Sequence, residues 1–278
     1  MPPVVLISID GLRPDALTTA NCPHLTAFQT RGSFTLTASA VLPTITLPCH
    51  TSIFHSVPPQ RHGILTNTFT PMARPLPGLF DVAAAAGLRC AAFLGWEPLR
   101  DLSRLGSLTL SICLNTAETD LTTDERITAE AARHLSGGMY DLAFVYFGTV
   151  DTAGHNHGWM SPQYLAQLEQ VDRHFGLLLS ALPDDAHVLV QSDHGGHERT
   201  HGTDLPEDMT IPWFIAGPHI KQNHPIAVPV SLLDTAPTLA RLLGIAPHPQ
   251  WEGLCVEEVF TQGARSRKQE VDLLFLAK

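Results

Sequence analysis

The chain has 278 residues, 44% hydrophobic and 16% charged, with a formal net charge of -10 at pH 7. No apolar run approaches the roughly eighteen residues that a membrane-spanning helix needs. Lys and Arg gather only at Arg265-Ser266-Arg267-Lys268, so the charge argues against a nucleic-acid-coating surface and leaves room for a small anionic substrate whose site is made positive by bound cations.

The length suits one α/β domain over residues 1–278, with a short insertion or loop region within about 68–140. At the N-terminus Met1-Pro2-Pro3 lacks the basic start of an export signal, and the apolar run Val4 to Ile9 is too short for its core. That run reads as a buried strand leading into Asp10-Gly11. In Leu42-Pro43-Thr44-Ile45-Thr46-Leu47-Pro48-Cys49-His50, a hydroxyl residue is followed by a proline suited to the first turn of a helix continuing through Phe54. Residues Thr66 to Pro77 read as a surface loop and Leu88 to Leu94 as a strand. Thr122 and Glu125 form a capping box for a helix from Glu125 to Leu135 that Gly137-Gly138 can end.

A strand follows from Leu142 to Phe147. Ser161-Pro162 then opens a long helix marked by Leu165, Leu168, Val171, Phe175, Leu178 and Leu182 and stopped by Pro183. His187 to Gln191 and Ile211 to Ala216 read as strands, and a helix from Pro237 to Leu243 closes at Gly244. Val271 to Leu276 is either a late edge strand or a free end. Strands alternating with helices imply a three-layer α/β/α fold around a mainly parallel sheet. The five cysteines, Cys22, Cys49, Cys90, Cys113 and Cys255, are odd in number and scattered, which points to reduced thiols and a cytoplasmic protein.

In such a sheet, ligands bind beyond the carboxyl ends of the strands. Asp10, Asp151 and Asp193 each follow an expected strand and can share that edge. Three close carboxylates raise one another's pKa unless cations neutralise them. His155 lies four residues after Asp151, His194 is adjacent to Asp193, and His201 follows in Thr200-His201-Gly202, giving a mixed nitrogen and oxygen donor set that suits zinc better than magnesium or calcium. His157 and His197 are rivals nearby, read as supporting or surface residues. Thr44 and Thr46 both stand at the start of the proline-containing helix, where a metal-bound hydroxyl beside free N–H groups could act as a nucleophile. Asp204, Glu207 and Asp208 read as a solvated acidic loop. The four tryptophans read as packing residues, with Trp159 placed to line a pocket.

Ser8-Ile9-Asp10-Gly11, Pro43-Thr44-Ile45-Thr46-Leu47-Pro48-Cys49-His50, His62-Gly63-Ile64, Asn67, Asp151-Thr152-Ala153-Gly154-His155 and Ser192-Asp193-His194-Gly195 together resemble the alkaline phosphatase superfamily. They are most similar to its nucleotide pyrophosphatase/phosphodiesterase branch, and the match runs in order from Val4 to about Leu243. The resemblance implies an alkaline-phosphatase-like fold and two Zn²⁺ ions, with other divalent metals possible. One zinc is implied at Asp10, Asp193, His194 and the Thr46 oxygen, the other at Asp151, His155 and His201. It selects Thr46 as the nucleophile that forms a phosphothreonine intermediate, and Asn67, with backbone N–H groups after Thr46, as stabiliser of the equatorial phosphoryl oxygens. Cys49 stands where relatives often have Asn, and the large cap regions of relatives are absent or reduced.

The implied function is phosphodiesterase or nucleotide pyrophosphatase activity on a small phosphate ester or nucleotide-like substrate, with neither a nucleic-acid polymer nor a membrane as partner. Alternatives are a phosphomonoesterase, a phosphonate hydrolase with the same site, and a metal-binding protein without catalysis. No Cys/Ser-x-Pro-x-Arg element surrounds a candidate nucleophile, which disfavours a sulfatase. Arg13, Arg61, Arg74 and Arg199 lie near the motifs in sequence and could serve a doubly charged monoester.

Overall fold

Val4–Ile9 forms β1, and all six of its residues are buried. Burial on both faces is why the run carries almost no polar residue. In chain order the other strands are β2 (Ser33–Ser39), β3 (Cys90–Leu94), β4 (Leu110–Cys113), β5 (Leu142–Phe147), β6 (His187–Gln191), β7 (Thr210–Ala216) and β8 (His224–Pro225). The helices are α1 (Pro14–Thr19), α2 (Pro23–Arg31), α3 (Thr46–His55), α4 (Pro59–His62), α5 (Leu79–Ala85), α6 (Thr123–Leu135), α7 (Thr149–His157), α8 (Pro162–Ala181), α9 (Pro206–Met209) and α10 (Thr235–Leu242). This computed structural model describes residues 1–72, 75–114 and 120–261. Arg74, the Arg265 to Lys268 cluster and the Val271 to Leu276 segment lie outside the described residues.

The strands form one sheet in the order β4-β3-β5-β1-β6-β7-β2-β8. Pairing is parallel from β4 through β6, whereas β7 runs antiparallel to both β6 and β2. The sheet is therefore mixed and mainly parallel, in agreement with the sequence pattern. Alternate β1 side chains serve opposite cores, as the strand period of two requires. Val4 and Leu6 pack with Ile53 and Phe54 of α3, Leu79 of α5 and Leu239 of α10. Val5, Ile7 and Ile9 pack with Phe28 of α2, Ile127 of α6 and Leu168 and Phe175 of α8. Each such buried side chain contributes about 1.5–3 kcal/mol, and together they hold the sheet between two helical layers.

Two local expectations change. Thr122 makes no capping bond; it lies in the α region, and its hydroxyl donates instead to Asp120 Oδ1 at 2.7 Å. Asp151 does not end a strand, because β5 stops at Phe147 and Asp151 stands in the first turn of α7. Ser161 does cap α8, accepting the Tyr164 N–H at 3.2 Å. Since β5, β1 and β6 are parallel neighbours, their carboxyl ends open on one edge, delivering α7, Asp10 and Asp193 side by side. Among the described residues, no helix is long and apolar enough to cross a membrane.

Candidate active site

Asp10, 1% exposed, leaves β1 at a sharp turn where Gly11 adopts φ +69°. A Cβ on Gly11 would meet the Asp151 Cα and Cβ at 3.0 Å, so glycine permits both the left-handed backbone and the close passage of α7. Asp10 Oδ2 accepts a hydrogen bond from the Tyr146 hydroxyl, while Oδ1 has no donor among the described residues. After β6, Asp193 Oδ1 accepts the Gly11 N–H at 3.3 Å, and its Oδ2 likewise lacks a donor. On α7, Asp151 and His155 are four residues apart and share one helix face. Asp151 Oδ1 is the third buried carboxylate oxygen without a donor. Thr46 opens α3 and sets its Oγ1 3.2 Å from His194 Nε2. Buried His50 anchors that helix to β1, donating through Nδ1 to Thr46 O at 2.8 Å and accepting through Nε2 from Ser8 Oγ at 2.9 Å.

The three candidate histidines share one arrangement. His155, His194 and His201 place Nδ1 against the carbonyls of Arg199 (3.0 Å), Gly195 (2.8 Å) and Thr44 (2.7 Å). A carbonyl can only accept, so Nδ1 carries the proton and a neutral ring presents Nε2 as a lone pair. These nitrogens converge. His155 Nε2 and His201 Nε2 are 3.1 Å apart and face Asp151 at 3.5 and 3.7 Å. His194 Nε2 lies 3.3 Å from Asp10 Oδ1 and 3.4 Å from Asp193 Oδ2. Two lone pairs at 3.1 Å repel unless a cation sits between them. Donors 2.0–2.1 Å from a tetrahedral zinc stand about 3.3 Å apart, and the separations here cluster around that value. Asp151, His155 and His201 form one group able to hold a metal, and Asp10, Asp151 and His194 a second, so Asp151 stands between them. Asp193 adjoins the second group through its approach to His194.

Electrostatics point the same way. Burial, followed by the charge of Asp10, pushes the Asp151 and Asp193 carboxyls well above their ordinary range. Burial opposes ionisation of Asp10 too, but the neighbouring His194 and His50 imidazoles and the Tyr146 hydroxyl outweigh it and hold Asp10 low. Burial keeps the His194 imidazole neutral and, with the neighbouring His194, lowers His201 to about 3. Neutral imidazoles beside carboxylates that need positive charge are what a metal demands of its ligands.

These groups open into a cavity of about 660 Å³ lined by Asp10, Thr46, Asn67, Asp151, His155 and His201. The lining also includes Trp96, read from the sequence as a packing residue, and Asp120 and Asp124, which sequence reasoning did not single out. Asn67 Oδ1 accepts the Leu47 N–H at 3.0 Å, so that donor is already engaged, and Pro48 has none. The expected set of N–H groups after Thr46 therefore contracts to the N–H of Thr46 itself, at the first helical position where no intrahelical acceptor exists. His197 is turned to Asp208, its Nδ1 donating at 2.7 Å, and stays outside both groups. Asp208 is fully buried, contrary to its reading as a solvated residue, because His197 and Thr203 donate to it. Trp159 sets its ring edge-on to His155 and His201, with centroids 5.1 and 5.8 Å away, and donates Nε1–H to Gly11 O at 2.9 Å. Tyr146 was concealed within the apolar run of β5, and only its hydroxyl hints at a polar role.

The family model described as "Type I phosphodiesterase / nucleotide pyrophosphatase" matches residues 4–205. Mouse (Mus musculus) ectonucleotide pyrophosphatase/phosphodiesterase family member 3 is 26% identical over 224 residues, covering 70% of this chain and 25% of that protein. The catalytic subunit of mouse GPI ethanolamine phosphate transferase 3 is 31% identical over 152 residues, covering 52% of this chain and 14% of that protein. The chain thus spans a quarter or less of the length of these curated relatives. Among solved structures, an inactive form of murine ectonucleotide pyrophosphatase/phosphodiesterase 5 in complex with AMP has a TM-score of 0.78 at 17% identity, covering 94% of this chain and all of that one. A phosphonate monoester hydrolase from Silicibacter pomeroyi has a TM-score of 0.74 at 15% identity, covering 96% of this chain and 78% of that one. These likenesses establish the alkaline-phosphatase-like fold. With the family model spanning well over half of its residues, the chain belongs to the type I phosphodiesterase / nucleotide pyrophosphatase family.

Proposed function

We propose that this protein is a two-zinc phosphodiesterase acting on small nucleotide-like diesters through a phosphothreonine intermediate at Thr46. The observation that carries the reading is the convergence of three imidazole lone pairs and three unpartnered carboxylate oxygens beside the Thr46 hydroxyl. One zinc belongs to Asp10, Asp193, His194 and Thr46, the other to Asp151, His155 and His201. When bound, the two ions supply the positive charge that activates the Thr46 oxygen and neutralises attacking and leaving oxygens. Thr46 Oγ1 forms a bond to phosphorus as the ester bond to the leaving alcohol breaks. Water then attacks the phosphothreonine, releasing the phosphoryl product and restoring the hydroxyl. The Thr46 N–H and Asn67 are the chain's own groups for the equatorial oxygens.

Charge favours a diester. Among the described residues, no Lys or Arg lines the cavity. Arg13 is held by Asp15 and by Gly196 O, and Arg61 pairs with Glu252. Arg199 lines a separate surface hollow. A singly charged phosphoryl group therefore suits the site better than a dianionic monoester. The free thiols, three of them buried, support a reducing, cytoplasmic setting.

Thr46→Ala should keep zinc largely bound, through Asp10, Asp193 and His194, and lose turnover by at least about 10³-fold. Rates on an aryl nucleotide diester, an aryl phosphonate monoester and an aryl monophosphate should fall in that order. Full activity in the variant would exclude the nucleophile, and a faster monophosphate would exclude the diester preference.

A further inference from the structure

Thr44 was a rival nucleophile in sequence, and the structure gives it other work. It is fully buried, and its hydroxyl faces away from the reacting groups toward the loop that carries His201. Thr44 Oγ1 donates to Thr203 O at 2.9 Å and accepts the Gly202 N–H at 3.0 Å. Its carbonyl accepts the His201 Nδ1–H at 2.7 Å, the contact that fixes which nitrogen of that ring is free. Thr203 is clamped in turn, since its N–H and hydroxyl both donate to Asp208 Oδ2, at 2.9 and 2.8 Å. Asp208 Oδ1 receives the His197 Nδ1–H. Three consecutive loop residues are thus bound to one threonine that stands two positions before Thr46.

We infer that Thr44 is a positioning residue: a latch that orients His201 toward its metal and sets that metal's site relative to the nucleophile helix. The inference rests on the two-zinc reading above and adds a specific division of labour within it. The His194 side does not depend on this latch, because His194 Nδ1 is backed by Gly195 O of its own segment. The His201 side reaches across 157 residues of chain for its backing. Groups that fix the orientation of a metal-ligating histidine are commonly worth 10–100-fold in metal affinity or activity.

The test compares wild type, Thr44→Val and Thr44→Ser in the full chain. Valine keeps the shape and removes both hydroxyl bonds, whereas serine restores them. Far-UV circular dichroism checks the fold, zinc per chain is measured after dialysis, and zinc affinity is measured by competition with a chromophoric chelator. Wild type and Thr44→Ser should hold two zincs. Thr44→Val should hold one as tightly as wild type and the other 10–100-fold more weakly, with diester turnover that recovers as zinc is raised. Thr44→Val holding both zincs like a two-zinc wild type overturns the latch alone. Equal loss of both zincs overturns its selectivity for the His201 side. A wild-type chain without stoichiometric zinc overturns the two-zinc reading, and the latch with it.

Discussion

Replacing Asp124 with Ala tests how α7, the helix that presents Asp151 and His155, is held. The residue before α7 is Gly148, which has no side chain to cap it. The cap comes from α6, where fully buried Asp124 accepts the Gly148 and Thr149 N–H groups at 3.0 Å each and the Thr149 hydroxyl at 2.5 Å. Losing it strands the buried Thr149 N–H and hydroxyl, at about 1–3 kcal/mol per group. Against this, burial raises the Asp124 pKa from 3.8 to about 6, so keeping the carboxylate ionised in the folded state at neutral pH costs about 3 kcal/mol. That shift already includes the Gly148 and Thr149 hydrogen bonds, so the two figures do not add, and the informative quantity is the pH dependence.

A carboxyl whose pKa is raised by folding stabilises fully below its unfolded pKa, and that stability is lost as pH rises through the folded value. Between about pH 4 and 6 the native state binds more protons, and the wild type gains about 1 kcal/mol on going from pH 7 to pH 5 through this group. The cost of Asp124→Ala should grow by that amount over the same interval. Urea denaturation of the metal-free proteins at both pH values, which removes proton–metal competition, measures it. Asp124→Asn, neutral throughout, should differ from Asp124→Ala by the same amount at both. A cost that is constant or smaller at pH 5 would refute the reasoning.

Gly196→Ala would place a Cβ 2.2 Å from the Trp159 ring. Overpacking of this kind should cost about 1–3 kcal/mol in thermal stability. Because Trp159 lies against His155 and His201, diester turnover should also fall, by about 10-fold or more on a steady-state assay. Buried His55, donating to Leu76 O, has its pKa lowered to about 4 by burial. A base depressed by folding leaves the unfolded chain holding more protons between about pH 4 and 6.5, so stability is lost as pH falls. This one group should remove about 2 kcal/mol between pH 7 and pH 5, and that share of the slope should vanish in His55→Gln. An unchanged slope would assign the acid sensitivity elsewhere.

Much of the fold was legible because β1, β5 and β6 are hidden on both faces and read as unbroken apolar runs with clear ends. Strand β2 was not legible. Its SFTLTAS sequence is rich in hydroxyl residues, and its place is set by pairing with β7 and β8, far away in the chain. The candidate ligands were legible as residue types following strands, and the structure brings them together. Their supports were not. Asp124 looks like an ordinary acidic residue of an N-terminal helical turn, yet its partners are 24 and 25 residues away. Asp208 sits in an acidic stretch that composition alone makes a solvated loop, and its burial depends on donors from His197 and Thr203. Capping by Thr122 failed for the opposite reason, since a nearer partner, Asp120, took its hydroxyl.

Strand β1 lies between β5 and β6, although it precedes both by more than a hundred residues in the chain. During synthesis, then, β1 has no sheet neighbour until residue 147 is made, and the candidate cation-binding edge is incomplete until His201 follows. Closing such long loops is slow. An apolar strand waiting for partners is also exposed to other chains. A metal ion could not guide these early pairings, because the donors that would hold it come together only as the central sheet is completed. Metal uptake should therefore be a late event in maturation, sealing a sheet already formed.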